Sequence, residues 1–260
     1  MSRGGRVEVL GVGVDRISVD GLHREVVRLA RRRRGVVLNV NAHCLNLLYG
    51  DDSLRRFFAT ADVVFCDGAG VRLAARIQGD RLPERITYAD WLPRLAALAE
   101  ERDLTLFFLG GRPGVAGVAA RRLLESHPNL KIVGARHGFF DPRAGSPENE
   151  IVLAEINAAR PDILLLGLGM PLQERWLMEN LHDLDFGVAL TGGAIFDYAS
   201  GSLRRGPHVL TDNGFEWLAR LLVEPRRLWR RYLLGNPLFL ARILSQRWRR
   251  SMGSRKKRQK

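Results

Sequence analysis

An aspartate between glycines is the residue best placed to do chemistry in this 260-residue sequence. Asp67, Gly68 and Gly70 follow the apolar run 62–66, which is typical of a buried strand. A carboxylate at the carboxyl end of such a strand points into a cleft, where it can act as a general base. Capping of the helix predicted to begin at Ala69 is the alternative role.

Amide side chains accompany this carboxylate. Asn39 and Asn41 end the preceding apolar run, where two amides suit the recognition of hydroxyl or amide groups. Gln173 and Glu174 occupy the first predicted turn of a later helix. Glu174 suits that turn electrostatically, whereas Gln173 has less structural explanation. His43, on the helix after Asn41, is interpreted as a packing residue.

Glycine-rich turns follow three of the predicted strands. They contain Gly110 with Gly111, Gly169 with Pro171, and Gly193. Glycines let the backbone approach a ligand closely, and the helix N-termini that follow favour phosphate groups. One such turn is usually an ordinary connection, but several in one sheet indicate a site for a nucleotide diphosphate.

The elements that position these residues alternate along the chain. Strands are predicted at six short apolar runs, each expected to be buried on both faces: 36–40, 62–66, 104–109, 130–135, 162–166 and 186–190. Helical spacing appears in seven stretches: 21–33, 42–49, 69–78, 88–101, 115–126, 148–159 and 172–181. This alternation predicts an α/β fold with a doubly wound, largely parallel, Rossmann-like sheet.

The net charge of +13 lies wholly in the end of the chain, because residues 204–260 hold 16 Lys and Arg against three acidic residues. Three helices are predicted there, at 213–223, 225–234 and 237–250, and the terminal RKKRQK is expected to fray. We therefore expect two parts: an α/β domain at 1–202 that binds substrate and a basic helical appendage at 203–260.

Aromatic residues are interleaved with the arginines of this appendage, namely Trp217, Trp229, Tyr232, Phe239 and Trp248. The combination suits a membrane surface or a nucleic acid. The helix predicted at 237–250 offers Leu238, Phe239, Ile243 and Leu244 on one side for a membrane interface, although some of these residues are expected to pack against the body.

The rest of the composition favours a cytoplasmic protein. Cys44 and Cys66 have no metal-ligand spacing, which indicates buried thiols in a reducing compartment. The N-terminal residues lack the apolar core of a signal peptide. The longest apolar stretch, 163–172, is about half of the roughly 20 residues that a membrane span needs. Any contact with a membrane is therefore expected to be peripheral.

A longer motif resembles a known family. The segment Gly169-x-Pro171-x-Gln173-Glu174-x-Trp176 resembles the GxPxQExW motif of the WecG/TagA/CpsF glycosyltransferases, glycosyltransferase family 26. Asp67-Gly68-x-Gly70 is similar to the acidic strand end of that family. Further similar positions lie in the appendage, at Arg205, Pro207, Gly214, Glu216, Trp217, Arg220, Glu224, Arg227 and Arg231. The resemblance covers residues 35–240.

The resemblance implies an inverting glycosyltransferase that needs neither a metal nor a cofactor. Its donor would be a UDP-sugar, with N-acetylmannosamine or a uronic acid, and its acceptor a saccharide on undecaprenyl diphosphate. The site would lie at the inner face of the cell membrane, against an anionic leaflet. Asp67 would be the base, and the appendage would dock on the membrane and complete the active site. Asn39 stands where family members often carry threonine.

The candidate site follows from these arguments together. The catalytic candidates are Asp67, Gln173 and Asn39. The candidate substrate-binding residues are Asn41, Gly68, Gly70, Gly110, Gly111, Gly169, Pro171, Glu174, Gly193, Asp197, Arg205, Arg220, Arg227 and Arg231. The Asp183-x-Asp185 motif precedes a strand and so lies at the wrong end of the sheet for a metal site here. Backbone N–H groups and arginines are therefore expected to neutralise the departing diphosphate.

Two other functions stay open at this point. A basic, aromatic appendage could bind nucleic acid, but this leaves the GxPxQExW motif and the glycine turns unexplained. A nucleotide-binding assembly protein could keep the cleft without catalysing a reaction. The donor sugar, the acceptor glycan and the oligomeric state, a homo-oligomer included, are not indicated by the sequence.

Overall fold

The computed structural model of the chain describes residues 5–203, 206, 207, 210 and 214–258. Its centre is a six-stranded parallel sheet with helices on both faces, which confirms the predicted α/β fold. The strands are β1 (Arg6–Val9), β2 (Val12–Asp15), β3 (Gly35–Val40), β4 (Val63–Cys66), β5 (Thr105–Gly110), β6 (Lys131–Arg136), β7 (Ile163–Gly167) and β8 (Val188–Thr191). Strands β3 to β8 match the six predictions within two residues, and their order in the sheet is β4-β3-β8-β7-β5-β6.

The helices of the body also follow the predictions closely. They are α1 (Val19–Arg32), α2 (Ala42–Leu48), α3 (Asp52–Thr60), α4 (Ala69–Ile77), α5 (Tyr88–Glu101), α6 (Val115–Ser126), α7 (Pro147–Ala159), α8 (Leu172–Asn180) and α9 (Ile195–Ala199). The sequence analysis missed α3 and α9, which are short. Side-chain caps begin several helices: Ser18 for α1, Asn41 for α2, Asp51 for α3 and Ser146 for α7.

Two apolar clusters sandwich the sheet. Alternate residues of each inner strand enter opposite clusters, so that Leu38 packs on one side and Val37 on the other. One cluster contains α1, α5, α6 and α9, and the second contains the β1–β2 hairpin with α2, α3, α4, α7 and α8. The prediction that every strand is buried on both faces was wrong for β6. This strand lies at the edge of the sheet, and its six residues are exposed or half-buried.

The antiparallel β1–β2 hairpin was also missed. Its two-residue turn is Leu10-Gly11, and both residues have positive φ, at 52° and 81°. Turns of this kind usually carry Asn-Gly or Asp-Gly, so Leu10 conceals the hairpin in the sequence. The hairpin covers the other edge of the sheet, where the Val64 amide of β4 donates a hydrogen bond to the Asp15 carboxylate at 2.8 Å.

The appendage consists of helices, as predicted. They are α10 (Glu216–Val223), α11 (Pro225–Trp229), a π-helical turn (Arg230–Leu234) and α12 (Gly235–Arg258). The last helix is longer than predicted, and residues 255–258, which were expected to fray, are helical. Among the described residues, no helix is both long enough and apolar enough to cross a bilayer.

Helix α12 is part of the core. Phe239 and Ile243 are 2% and 0% exposed and join the apolar cluster of the hairpin, so these two of the four side chains named for a membrane interface pack against the body. Polar contacts hold the same helix to the body. Gln246 accepts a hydrogen bond from the Leu10 amide at 3.1 Å and donates one to Glu8 at 3.1 Å. The division of the chain near Ser202 stays a prediction, but the body and α12 share one core.

Candidate functional site

A polar chain crosses the carboxyl ends of three neighbouring strands. Asn39 of β3 donates a hydrogen bond from Nδ2 to Oδ2 of Asp67 at 2.8 Å, directly after β4. The Thr191 hydroxyl of β8 donates to Oδ1 of Asn39 at 3.3 Å. Asn39 and Thr191 are 2% and 0% exposed. Because parallel pairing fixes these strand ends side by side, the sheet holds the Asp67 carboxylate in one orientation.

The surroundings of Asp67 favour its protonated form. Burial and the nearby negative charge of Glu216 raise the pKa of Asp67 to about 6. The hydrogen bond from Asn39 and the charge of Arg231 act in the opposite direction. A carboxylate with this pKa is ionised at neutral pH and is a better proton acceptor than an ordinary aspartate. These are the properties of a general base.

Asp67 lies in the wall between two cavities. The first, of about 640 Å³, is called the arginine cavity because Arg220, Arg227, Arg230 and Arg231 line it. The second, of about 1190 Å³, is called the aromatic cavity because Trp91, Phe215, Trp217, Tyr232 and Phe239 line it. Five residues line both cavities: Asn41, His43, Asp67, Arg220 and Arg231.

The arginine cavity is built to receive an anion. Asp67 is the one carboxylate among its described lining residues, against four arginines. The Nε atoms of Arg220 and Arg231 are shielded from solvent and have no hydrogen-bond partner among the described residues. The guanidinium of Arg231 lies 5.3 Å from the ring centre of Tyr232. Arg220 also forms an ion pair with Glu224 at 3.6 Å. Shielded Nε donors beside glycine backbone suit the oxygens of a diphosphate.

Gln173 connects two of the glycine turns. Its Oε1 accepts hydrogen bonds from the Gly169 amide at 3.2 Å and the Gly193 amide at 3.0 Å, and its Nε2 donates to Glu174 at 2.7 Å. Gln173 is 0% exposed. The two glycines line the arginine cavity, but Gln173 itself does not. The amides of both glycines therefore donate to Gln173 within the protein.

Glu174 lies behind this connection. It is 2% exposed, and its Oε2 has no hydrogen-bond partner among the described residues. Burial raises the pKa of Glu174 to about 7, while the hydrogen bond from Gln173 acts in the opposite direction. The carboxyl group is thus far less acidic than on a solvent-exposed helix, where it would only interact with the helix dipole.

The structure brings together most of the predicted site residues. Those that line one or both cavities are Asn39, Asn41, Asp67, Gly68, Gly70, Gly169, Gly193, Arg220, Arg227 and Arg231. Those that line neither are Gly110, Gly111, Pro171, Gln173, Glu174 and Asp197. Arg205 lies outside the described residues.

The residues that do not line the cavities have other contacts. A Cβ on Gly110 would lie 2.4 Å from the Gly167 backbone, so this glycine permits close packing of two strand ends. The amide of Gly111 donates to the Gly167 carbonyl at 3.2 Å. Pro171 follows a cis peptide bond and precedes α8. Asp197 is half-buried, and burial raises its pKa.

Sequence reasoning missed several lining residues. His43 was interpreted as packing, yet it lines both cavities. Arg85 in the loop before α5 and Arg230 in the π-helical turn were not identified either. The position of His43 two residues after Asn41 could have indicated its role, whereas Arg85 has no distinguishing neighbours. Among the residues that the structure describes, no group of three or more His, Cys, Asp or Glu side chains could hold a metal ion.

Comparison with known proteins agrees with this geometry. Residues 7–253 match the family described as the glycosyl transferase WecG/TagA/CpsF family. A Bacillus subtilis strain 168 protein is 26% identical over 211 residues, which are 81% of this chain and 79% of that protein. A Bacillus spizizenii protein is 27% identical over 222 residues, which are 85% and 83% of the two chains. Both are named N-acetylglucosaminyldiphosphoundecaprenol N-acetyl-beta-D-mannosaminyltransferase.

Proposed function

The chain belongs to the WecG/TagA/CpsF family of glycosyltransferases, and from this premise we propose that it transfers a sugar from a UDP-linked donor to a saccharide on a polyprenyl diphosphate. The names of the two Bacillus relatives support an acceptor of the N-acetylglucosaminyl-diphosphoundecaprenol type and a donor sugar of the N-acetylmannosamine type. A uronic acid is the other donor sugar that we consider. The reaction proceeds with inversion and without a metal ion.

The observation that carries this proposal is the position of Asp67 in the wall shared by the two cavities. An inverting transfer needs the two reactants on opposite sides of the reacting carbon. Asp67 removes the proton of the acceptor hydroxyl while that oxygen bonds to the anomeric carbon of the donor sugar. The bond from this carbon to the UDP oxygen breaks, and UDP leaves with the electron pair.

The arginine cavity binds the diphosphate of the UDP-sugar, whose negative charges are already present before UDP departs. Arg220 and Arg231 contribute shielded guanidinium groups whose charge is little screened by solvent. The aromatic cavity, with Trp91, Trp217 and Tyr232 among polar groups, suits a saccharide, which has both apolar ring faces and hydroxyl groups.

Asp67→Asn tests the proposed base. We expect the variant to bind UDP-sugar normally but to lose transfer by about a thousandfold, within the usual range for loss of a general base. The measurement is UDP release with a UDP-sugar and a lipid-diphosphate-linked N-acetylglucosamine acceptor. Asp183→Asn is the matched control. Asp183 precedes β8 and so lies at the amino ends of the strands, away from Asp67 at their carboxyl ends. Full activity of Asp67→Asn would remove Asp67 as the base.

The appendage is proposed to dock on an anionic membrane at the cytoplasmic face. Eleven large apolar side chains of its described residues are exposed: Phe215, Leu222, Val223, Trp229, Leu233, Leu234, Leu238, Leu240, Leu244, Trp248 and Met252. Leu234 and Leu238 also line the arginine cavity, so this apolar surface adjoins the site. Exposed arginines beside it add about 1 kcal/mol each on an anionic leaflet.

Point substitutions test docking better than truncation, since removal of α12 would uncover the core around Phe239 and Ile243. The double variant Leu244→Ser with Trp248→Ser should bind phosphatidylglycerol vesicles at least about tenfold more weakly. Phe139→Ser is the control, because Phe139 is 65% exposed on the body. Equal loss in the control, or normal vesicle binding by the double variant, would contradict docking by this surface.

A further inference from the structure

The first turn of α2 carries a polar side chain that the proposed reaction leaves unused. His43 is half-buried and lines both the arginine cavity and the aromatic cavity. It shares this position with Asp67 and Arg231, at the junction where donor and acceptor must meet. A side chain at this junction contacts the reacting sugars more directly than one deep in either cavity.

The ring nitrogens of His43 have no hydrogen-bond partner among the residues that the structure describes. Its neighbours at the junction are already engaged, because Asn41 caps α2 through its Oδ1 and Asp67 accepts a hydrogen bond from Asn39. A ligand in the cavities can therefore supply a hydrogen-bond partner to the half-buried imidazole of His43.

The charge state of the His43 ring indicates which chemical group of a ligand it can bind. Burial, together with the positive charge of Arg231, lowers the pKa of His43 to about 4, so the imidazole is neutral at neutral pH. A neutral imidazole donates through one nitrogen and accepts through the other. A sugar hydroxyl also donates and accepts, whereas an ionised phosphate oxygen only accepts. The ring therefore matches a hydroxyl, and the arginines match the diphosphate.

We propose that His43 binds a hydroxyl group of the donor or acceptor sugar and so is a further specificity-determining residue of the transfer reaction. The inference rests on the proposed function, since it assigns the ligand within the same site. It goes beyond that function in naming a residue for sugar recognition that is distinct from the base and from the arginines.

Two substitutions separate hydrogen bonding from packing. His43→Gln keeps a donor and an acceptor, and we expect KM and kcat for transfer within about threefold of wild type. His43→Phe keeps a flat ring without polar atoms, and we expect KM for one substrate to rise about tenfold, the value of one lost hydrogen bond. A rise in the KM of the UDP-sugar assigns the hydroxyl to the donor, and a rise for the lipid-linked acceptor assigns it to the acceptor.

The same substitutions at His182 are the control, because His182 is exposed and precedes β8. Unchanged KM values in His43→Phe would overturn the proposal. An equal loss in His43→Gln and His43→Phe, with an equal fall in melting temperature, would show a packing role and would also overturn it. Absence of transfer by the wild-type protein would remove the proposed function and this inference together. Transfer by the wild type, together with unchanged KM values in His43→Phe, would overturn only the role of His43.

Discussion

Two parts of the chain line the cavities, and they differ in how their polar groups are satisfied. On the sheet, Asn39, Asp67 and Thr191 are hydrogen-bonded to one another across three strand ends. On the appendage, Arg220 and Arg231 present shielded Nε atoms with no hydrogen-bond partner among the described residues. The polar groups of the sheet edge thus satisfy one another, whereas these Nε donors of the appendage do not have a partner, although Arg220 and Arg227 form ion pairs with Glu224.

This difference separates two tasks of a catalytic site. Groups that are already oriented stabilise a transition state without reorganisation, so the sheet edge suits the chemical step. Donors that lack a hydrogen-bond partner gain one from the ligand, so the appendage suits substrate binding. Substitutions on the sheet edge should therefore change kcat, and substitutions on the appendage should change KM.

Asn39→Ala should have the largest effect of the three predictions that test this comparison. The loss of its hydrogen bond frees the Asp67 carboxylate to rotate, and kcat should fall by roughly a hundredfold. Because that hydrogen bond lowers the pKa of Asp67, the acid limb of the pH–rate profile should also move above about pH 6. Asn157→Ala is the control, since Asn157 bonds the backbone of Asp183 and Asp185 before β8. An unchanged acid limb would count against the positioning role.

Arg231→Gln should have an intermediate effect, on KM rather than on kcat. Removal of one guanidinium from the arginine cavity should raise KM for the UDP-sugar about tenfold, with kcat changed by less than about threefold. Arg226→Gln is the matched control, because Arg226 is exposed on α11 and lines neither cavity. A fall in kcat without a change in KM would contradict the division of tasks.

Glu174→Gln should change stability more than catalysis. Since the pKa of Glu174 is raised to about 7, its protonated form stabilises the fold below about pH 4.5, and this contribution is lost as the pH rises through 7. Because glutamine does not ionise, the Glu174→Gln variant does not lose this stability as the pH rises. At pH 8 its free energy of unfolding should exceed that of wild type by on the order of 2–3 kcal/mol, with little difference at pH 4. Urea denaturation at both pH values measures the difference, and parallel pH profiles would argue against a buried, neutral Glu174.

The sheet and its polar edge could be predicted because their determinants are local. Short apolar runs indicate buried strands, and the residue after such a run must lie at the carboxyl edge, as Asp67 does. The contacts of Gln173 could not be predicted in this way, since the Gly193 amide that it binds lies 20 residues further along the chain. His43 was misread because a histidine on a helix with a buried face resembles a packing residue until the cavities are seen.

The appendage was harder to predict than the sheet for a physical reason. A helical pattern indicates that one face is apolar, but it does not show what covers that face. Of the four α12 side chains named for a membrane interface, some were expected to pack against the body, and Phe239 and Ile243 are the two that lie in the core. Helix α12 packs mainly on α2 and α4, and its Gln246 forms hydrogen bonds to the β1–β2 hairpin that the Leu10-Gly11 turn hid in the sequence.

The packing of α12 against the body has a consequence for the distance between the active site and a membrane. One helix has Phe239 and Ile243 anchored in the core and Leu244 and Trp248 exposed to its surroundings. If the exposed side rests on a bilayer, the distance from the lipid surface to Asp67 is set by a rigid body rather than by a flexible tether. This fixed distance then selects lipid-linked saccharides by the height of their terminal hydroxyl above the membrane.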